Sequence, residues 1–581
     1  MIVFGDHVRV CDPRKILREV GLEIADLTAR PPGLARHAGL VSAFLEASEL
    51  AQGLADADAA ARGMDGRWRA GQLAMALLAE IARDVAASWT SGFTHAPTVP
   101  RSLAELASTN LPVFVHLRRA EGYAFYAVYP EAYLVAARAA RLARPGPRRV
   151  VGIRSIGTGL AAIVAEAMSA PLPLTVRPLG DPYRREIRLA PEVAEEWTAD
   201  PDATIAIVDE GPGLSGSSFG AVADAIEARG VTRIACFPSH AGELGPFALP
   251  RHTERWRRVA RHVVDADALL VQAEPPHALA DWIADLVGNL ITPLEDVSAG
   301  AWRTRRYRDE QHWPPSVTYQ ERRKFLARTS SGTWLAKFVG LGRAGLRALA
   351  RARTLHAARF SPQVAGLCHG FLVERWHDEA PTLNPRAYPR WRLVDEVGRY
   401  LGFRAYSFPA SERGASLQRL VEMARHNTQQ ALGARIASRF DRFTSSLQEL
   451  GGAVRPIEID GRMHAWEWLV RTDGSLLKTD ALDHHAAHDL VGCQDVTWDL
   501  AGAEAELGFD SSESKQLASI VAETSGRVPN PDLLALMRPC YLAFQLGRHS
   551  LAIDTAETAE AIRLRMVVDR YATLLAAALG A

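Results

Sequence analysis

"TIAIVDEGPGLSGSSFGAVADAI", residues 204–226, carries the reading of the whole chain. Residues 204–208 form a short apolar run with no polar alternation, the pattern of a strand buried on both faces. The run ends on two acids, Asp209 and Glu210. Gly211, Pro212, Gly213, Leu214, Ser215, Gly216, Ser217 and Ser218 follow, and then a helical pattern begins. Residues this small have little to pack with, so the loop is expected to wrap a ligand. A Gly/Ser loop at a helix N-terminus presents backbone N–H groups and the positive end of a dipole, which suits a phosphate. Ser215, Ser217 and Ser218 add hydroxyl donors. Two carboxylates beside a phosphate are repulsive unless they accept hydrogen bonds from sugar hydroxyls or sit near a metal. Together these features describe a pocket for a ribose 5-phosphate.

Working outward, "RRVVGI" (148–153), "LTVRPL" and "TRIACF" (232–237) read as further strands, and "LPVFVHL" and "YAFYAVYP" as two more. Helical patterns separate them, at "PEAYLVAARAARLA", "GLAAIVAEAMS" (159–169) and 217–229. Such alternation predicts a mostly parallel α/β sheet. Ligands of such sheets sit beyond the carboxyl ends of the strands, which selects the loops 154–159, 209–218 and 238–245. Tyr183, Arg184, Arg185 and Arg188 suit either a flap over a diphosphate or a solvated basic hairpin. His240 suits either a ligand contact or a plain loop. Residues 1–95 carry apolar residues at three- and four-residue spacing and read as helices forming a cap or a dimerisation element, compatible with a homodimer.

Composition narrows the classes. The chain has 581 residues, enough for two to four domains, with Lys+Arg and Asp+Glu balanced at 67 each. Nothing in that balance favours nucleic acid or an anionic membrane. No run of about 20 apolar residues is present, so no membrane span is expected. The N-terminal stretch lacks a basic region followed by an apolar core, so a secretory signal is not expected. Five cysteines without a C-x-x-C pair fit free thiols in a reducing cytoplasm. Lysine is rare: Lys15, Lys324, Lys337, Lys478 and Lys515 are all there are.

The strand, two acids, small-residue loop and helix of 204–226 resemble the signature of type I phosphoribosyltransferases, V-D-D-V-x-x-T-G-x-T. Glu replaces the second acid and Ser the threonine, with one extra residue before Ser-Gly. "VVGIRSIGTGLAAIVA" resembles the same family's pyrophosphate loop. The resemblance covers about 130 residues. It implies 5-phosphoribosyl-1-pyrophosphate and Mg²⁺ as ligands, a small nucleobase-like acceptor, Arg154, Ser155, Gly157 and Thr158 on the pyrophosphate, and Asp209 and Glu210 on the ring hydroxyls.

Beyond about 320 the plan changes to a small sheet followed by helices. "RRKFLARTSSGTWLAKFVG" reads as an apolar hairpin around Ser330-Ser331-Gly332, "HGFLVERW" as a strand, and 385–450 as helices. "EIDGRMHAWEWLVRTDGSLLKTDALDH" resembles the catalytic segment of aminoglycoside-phosphotransferase-like kinases. That resemblance implies ATP and Mg²⁺, with Asp460 as the catalytic acid, Glu467 in place of the metal-binding Asn, and Asp480 as the metal Asp. It further implies Lys337 on the nucleotide phosphates, "FLVERW" with Glu374 at the adenine hinge, and Asp499 as a structural acid. The loop between the acids is two residues longer than the family's. His484 and His488, four apart, also suit a pair of metal ligands on one helical face.

The expected organisation is therefore multidomain α/β and α+β. A helical segment (1–95) precedes a phosphoribosyltransferase-like domain with a mostly parallel sheet (96–300) and a kinase-like domain with a helical C-terminal lobe (301–581). The expected function is cytoplasmic ribosyl transfer coupled to a small-molecule kinase. The alternative is a regulator that senses nucleotide or phosphoribosyl pyrophosphate without turnover.

Overall fold

The computed structural model describes residues 1–581 except positions 6, 7, 201, 214, 411 and 581. β1 (Val8–Cys11) leads into α1 (Pro13–Ala29), whose N-cap Asp12 accepts the Arg14 N–H and is followed by Pro at the first helical position. α2 (Leu34–Arg62) and α3 (Arg69–Thr90) follow as long helices. β2 (Val115–Arg118) returns to pair antiparallel with β1. "YAFYAVYP", expected as a strand, is instead a short helix, Glu121–Phe125, and an irregular turn. Its aromatic residues favour a strand locally, but the segment folds under the Glu210 carboxylate, which accepts the Gly122 N–H.

The parallel sheet is built from β3 (Arg148–Ile153), β4 (Leu174–Val176), β7 (Thr204–Val208), β8 (Ile234–Phe237) and β9 (Ala260–Arg261), in the order β4-β3-β7-β8-β9. Between β4 and β7 lies the hairpin β5 (Leu179–Asp181) and β6 (Arg184–Glu186). The helices of this region are α4 (Pro130–Ala143), α5 (Gly157–Met168) and α6 (Ser217–Glu227). β7 is buried on both faces. Ile205 and Ile207 pack with Phe219, Val222 and Trp256, while Ala206 and Val208 pack with α2, α3 and α5. The helices α2 and α3 pack on α5, which itself lies against β3 and β7. At about 25 cal/mol per Å² of apolar surface, that burial rather than helix propensity holds them in place.

The C-terminal half contains β10 (Glu295–Asp296), β11 (Lys324–Thr329), β12 (Gly332–Phe338), β13 (Val364–Cys368) and β14 (Phe371–Arg375), an antiparallel sheet in the order β10-β11-β12-β14-β13. Gly332 (φ 120°) supplies the positive φ that the β11–β12 turn needs. A helical lobe follows, with α7 (Arg390–Ser407), the small hairpin β15 (Trp468–Val470) and β16 (Leu476–Lys478), α8 (Thr497–Leu507) and α9 (Pro531–Ile553). No helix among the described residues is long and apolar enough to cross a membrane.

The two halves share a core. Phe338, Phe371 and Val373 of the antiparallel sheet belong to the apolar cluster that contains α2, α3 and α5. Inside the junction, Glu131 of α4 accepts from His37 Nε2 of α2 at 2.9 Å and from His369 Nε2 of the β13–β14 turn at 3.0 Å. Burial opposes the charge, but the two imidazoles hold Glu131 well below the usual carboxylate range.

Candidate active sites

The strand order reverses direction between β3 and β7, and a cleft of about 1660 Å³ opens at their carboxyl ends. Asp209 and Glu210 stand in its wall with Arg154, Ser155, Gly211, Gly213, Ser218, Ser239 and His240. The Glu210 N–H donates to Asp209 Oδ1 at 2.8 Å, and Tyr133 donates its hydroxyl to the Asp209 carbonyl at 2.9 Å. Burial pushes Asp209 up to about 7, and burial with the neighbouring Asp209 charge pushes Glu210 up to about 8. Among the described residues, neither carboxylate has an ion-pair partner within 4 Å. Two adjacent acids held in this condition favour an incoming cation or hydroxyl donor. Gly157 is required because β7 passes close by: a Cβ there would sit 2.6 Å from the Val208 carbonyl oxygen.

The structure separates the remaining expected residues. Ser215 and Ser217 are buried and donate their hydroxyls to the Pro182 carbonyl of the β5–β6 turn, at 3.1 and 2.6 Å. They anchor that hairpin. Gly157, Thr158, Ser215, Gly216 and Ser217 lie outside the cleft wall, and Thr158 is fully buried. Leu214 lies outside the described residues. Of the β5–β6 segment, Arg185 and Arg188 reach the wall, whereas Tyr183 and Arg184 do not.

Arg154 is not a free cation either. Its Nε lies 2.9 Å from Asp56, and its Nη2 donates to Asp65. Asp56 also pairs with Arg177 at 2.5 Å, and Arg177 Nη1 donates to the Arg154 carbonyl at 2.6 Å. Asp56, Asp65 and Arg177 were not singled out in the sequence. Asp56 and Asp65 come from the α2 region, about 90 residues before the loop they organise, and no local spacing betrays them.

The second cleft, of about 200 Å³, lies between the antiparallel sheet and the helical lobe. Lys337 of β12 forms an ion pair with Asp480 and lies 3.8 Å from Asp483, which Arg322 holds at 2.6 Å. Burial works against all these charges, yet Asp480 and Asp483 fall well below the usual carboxylate range and Lys337 rises, because the opposite charges are close. Glu374 of β14 also lines the cleft, and burial pushes it up to about 7. Asp480, Asp483 and His484 bring ligand atoms within 4.8 Å of one another, a mainly carboxylate set that fits a hard divalent cation such as Mg²⁺. Glu467 lines the same cleft but is tied to Lys478 at 2.8 Å.

Asp460 does not face this cleft. Its carboxylate is fully buried, accepting the Tyr400 hydroxyl and the Arg462 N–H (3.1 Å), with Lys478 Nζ 3.4 Å away. Asp499 of α8 accepts the backbone N–H groups of Asp460 and Gly461, both at 2.8 Å, and so pins the loop, as a structural acid would. The side chain that enters the cleft is Arg462. It stands five residues before Glu467, the interval that separates Asp from Asn in the kinase catalytic loop H-R-D-x-x-x-x-N. Counted this way the loop carries no extra residues, and an arginine occupies the position of the acid. His484 and His488 do not converge. His484 Nδ1 bonds the Asp460 carbonyl at 2.9 Å, and His488 pairs with Glu121.

The two clefts adjoin. Tyr126 and His488 belong to the wall of both.

No protein-family model matches the chain, and no curated protein matches it. Among solved structures it is similar to the choline kinase LicA from Streptococcus pneumoniae, at 16% identity over 43% of this chain and 89% of that one, with a TM-score of 0.32. It is similar to spectinomycin phosphotransferase APH(9)-Ia, in complex with ADP and spectinomycin, at 13% identity over 51% and 98%, TM-score 0.33. A third is an aminoglycoside phosphotransferase from Alicyclobacillus acidocaldarius, at 12% identity over 44% and 89%, TM-score 0.30. No residue role in this chain rests on these likenesses.

Proposed function

We propose that the chain is a two-site transferase: a phosphoribosyltransferase-like site at the carboxyl end of the parallel sheet, and an ATP-dependent small-molecule phosphotransferase site in the C-terminal cleft. The observation that carries the second site is Lys337 on a central antiparallel strand, paired with Asp480 beneath it. A lysine there would meet nucleotide phosphates, and Asp480 with Asp483 would hold a Mg²⁺ that supplies positive charge to the site. The phosphoryl group then moves by positioning and charge stabilisation, with Arg322 and Lys337 as fixed cations around it.

For the first site the support is the pair Asp209–Glu210 at the strand-order reversal, beside the N-terminus of α6. These carboxylates would accept hydrogen bonds from the two ring hydroxyls of 5-phosphoribosyl-1-pyrophosphate and steady the sugar as positive charge develops on it. Their environment also fits Mg²⁺, since a cation would relieve two adjacent half-buried acids that, among the described residues, have no ion-pair partner. The charges of Arg177 and Arg185 act on Asp209 and both side chains line the cleft, so they suit the anionic end.

The test is direct. The full chain is incubated with labelled 5-phosphoribosyl-1-pyrophosphate, Mg²⁺ and pooled nucleobases, and separately with ATP and Mg²⁺. Saturable binding and pyrophosphate release are expected from the first, and ATP binding from the second. One observation favours a second reading, a regulator that binds both ligands without turnover: Arg462 stands where a kinase has its acid. Saturable binding with no release of pyrophosphate or ADP under any acceptor would establish that reading.

A further inference from the structure

The C-terminal cleft has an unusual end. Arg548 of α9 is 7% exposed and lines the cleft. Its Nε donates to Gln320 Oε1 at 3.3 Å, and among the described residues no carboxylate lies within 4 Å of it. Beside it stands Arg462, whose one ion-pair partner among the described residues is Asp489 at 3.2 Å. Burial and the charge of Arg462 bring Arg548 down to about 10. Asp489 and Glu467 act on it only from beyond ion-pair distance, and a buried guanidinium with no carboxylate in contact is costly, so an arriving anion would lower that cost. Guanidinium also presents the planar donor fork that suits carboxylate and phosphate oxygens.

We propose that this cleft takes an acceptor that is itself an oxyanion, a phosphomonoester or a carboxylate, held by Arg548 and Arg462. The inference rests on the reading of the cleft as an ATP site. It accounts for arginine at the position of the acid. A hydroxyl acceptor needs a group to receive its proton, whereas an ionised oxygen has none to give up. In the step, an acceptor oxygen forms a bond to the γ-phosphorus of ATP, and the bond from that phosphorus to the β,γ-bridging oxygen breaks. ADP leaves with the electron pair, and no proton is transferred. The product is a diphosphate or an acyl phosphate. The phosphomonoester is favoured by position, because Tyr126 and His488 also wall the cleft where phosphoribosyl compounds would be made.

The experiment uses the full chain saturated with Mg²⁺ and a non-hydrolysable ATP analogue. Ribose 5-phosphate, succinate and ribose are titrated calorimetrically against the wild type, Arg548→Gln and Arg548→Lys, each checked for folding by its melting transition. With ATP in place of the analogue, ³¹P resonances report the product. The expected result is binding of one of the two anions at least 30-fold tighter than ribose. Arg548→Gln should weaken it at least 10-fold, Arg548→Lys should restore part of it, and analogue affinity should stay within twofold. A new diphosphate resonance identifies the phosphomonoester arm, and an acyl phosphate the carboxylate arm. Anion binding indifferent to both Arg548 variants, including binding in the first cleft alone, overturns the inference while leaving the ATP site intact. Failure of the wild type to bind the analogue overturns the ATP reading and the inference with it.

Discussion

The two clefts treat their carboxylates in opposite ways. In the first, Asp209 and Glu210 have no cation within ion-pair reach among the described residues, and burial pushes them up to about 7 and 8. In the second, Asp480 and Asp483 are held by Lys337 and Arg322 and fall well below the usual range. The second cleft thus supplies counter-charges for these two acids before a ligand arrives. The first leaves two acids unbalanced, and only a ligand or a metal can balance them. A site of the first kind is weakly stabilised when empty and gains on binding; one of the second kind trades one set of ion pairs for another.

Removing the unbalanced acids is the largest expected break in that contrast. Asp209→Asn should lower phosphoribosyl-pyrophosphate-dependent pyrophosphate release about 10²–10³-fold, the scale of losing a group that stabilises transition-state charge. ATP binding by the same protein should remain, as measured calorimetrically; loss of both would mean that the two clefts do not act separately. Next in size is Lys337→Ala, expected to weaken ATP binding about 100-fold by leaving Asp480 without its ion-pair partner and the phosphates without a cation. Unchanged ATP affinity would remove the second cleft from nucleotide binding.

The junction between the clefts offers a third test. Glu131→Ala takes away the acceptor of both His37 and His369 and should cost about 3–5 kcal/mol, seen as a lower denaturant midpoint. An unchanged midpoint would show that this buried triad does not hold the two halves together.

The smallest effect sharpens the electrostatic contrast itself. The folded-state values of Asp209 and Glu210 lie above their unfolded values near 4, so their contribution to stability is fully present below about pH 4 and is lost as pH rises through 7 to 8. The ligand-free variant Asp209→Asn should therefore melt a few degrees above wild type at pH 8, with the gap closing towards pH 5. Differential scanning calorimetry across that range decides it, and an equal gap at both pH values would show that the acids are not strained.

Much of the fold was legible because its signals are local. The uninterrupted apolar run of 204–208 marked a strand buried on both faces, and it lies at the centre of the parallel sheet. Lys337 and Asp480 were singled out by the resemblance to a kinase catalytic segment, and they meet in the structure. The short helix at Glu121–Phe125 was not legible, since its reason is Glu210, almost 90 residues away.

Sequence by itself determined where strands, turns and acids fall along the chain, because those patterns depend on neighbours a few residues apart. Tertiary structure alone decided which way each polar side chain points. Asp460 turned inward to Tyr400 and Lys478, leaving Arg462 in the cleft. Ser215 and Ser217 turned to Pro182, and Arg154 was taken by Asp56 and Asp65. A buried polar group settles wherever its charge or hydrogen bond is satisfied, and the partner that satisfies it lies in another part of the chain.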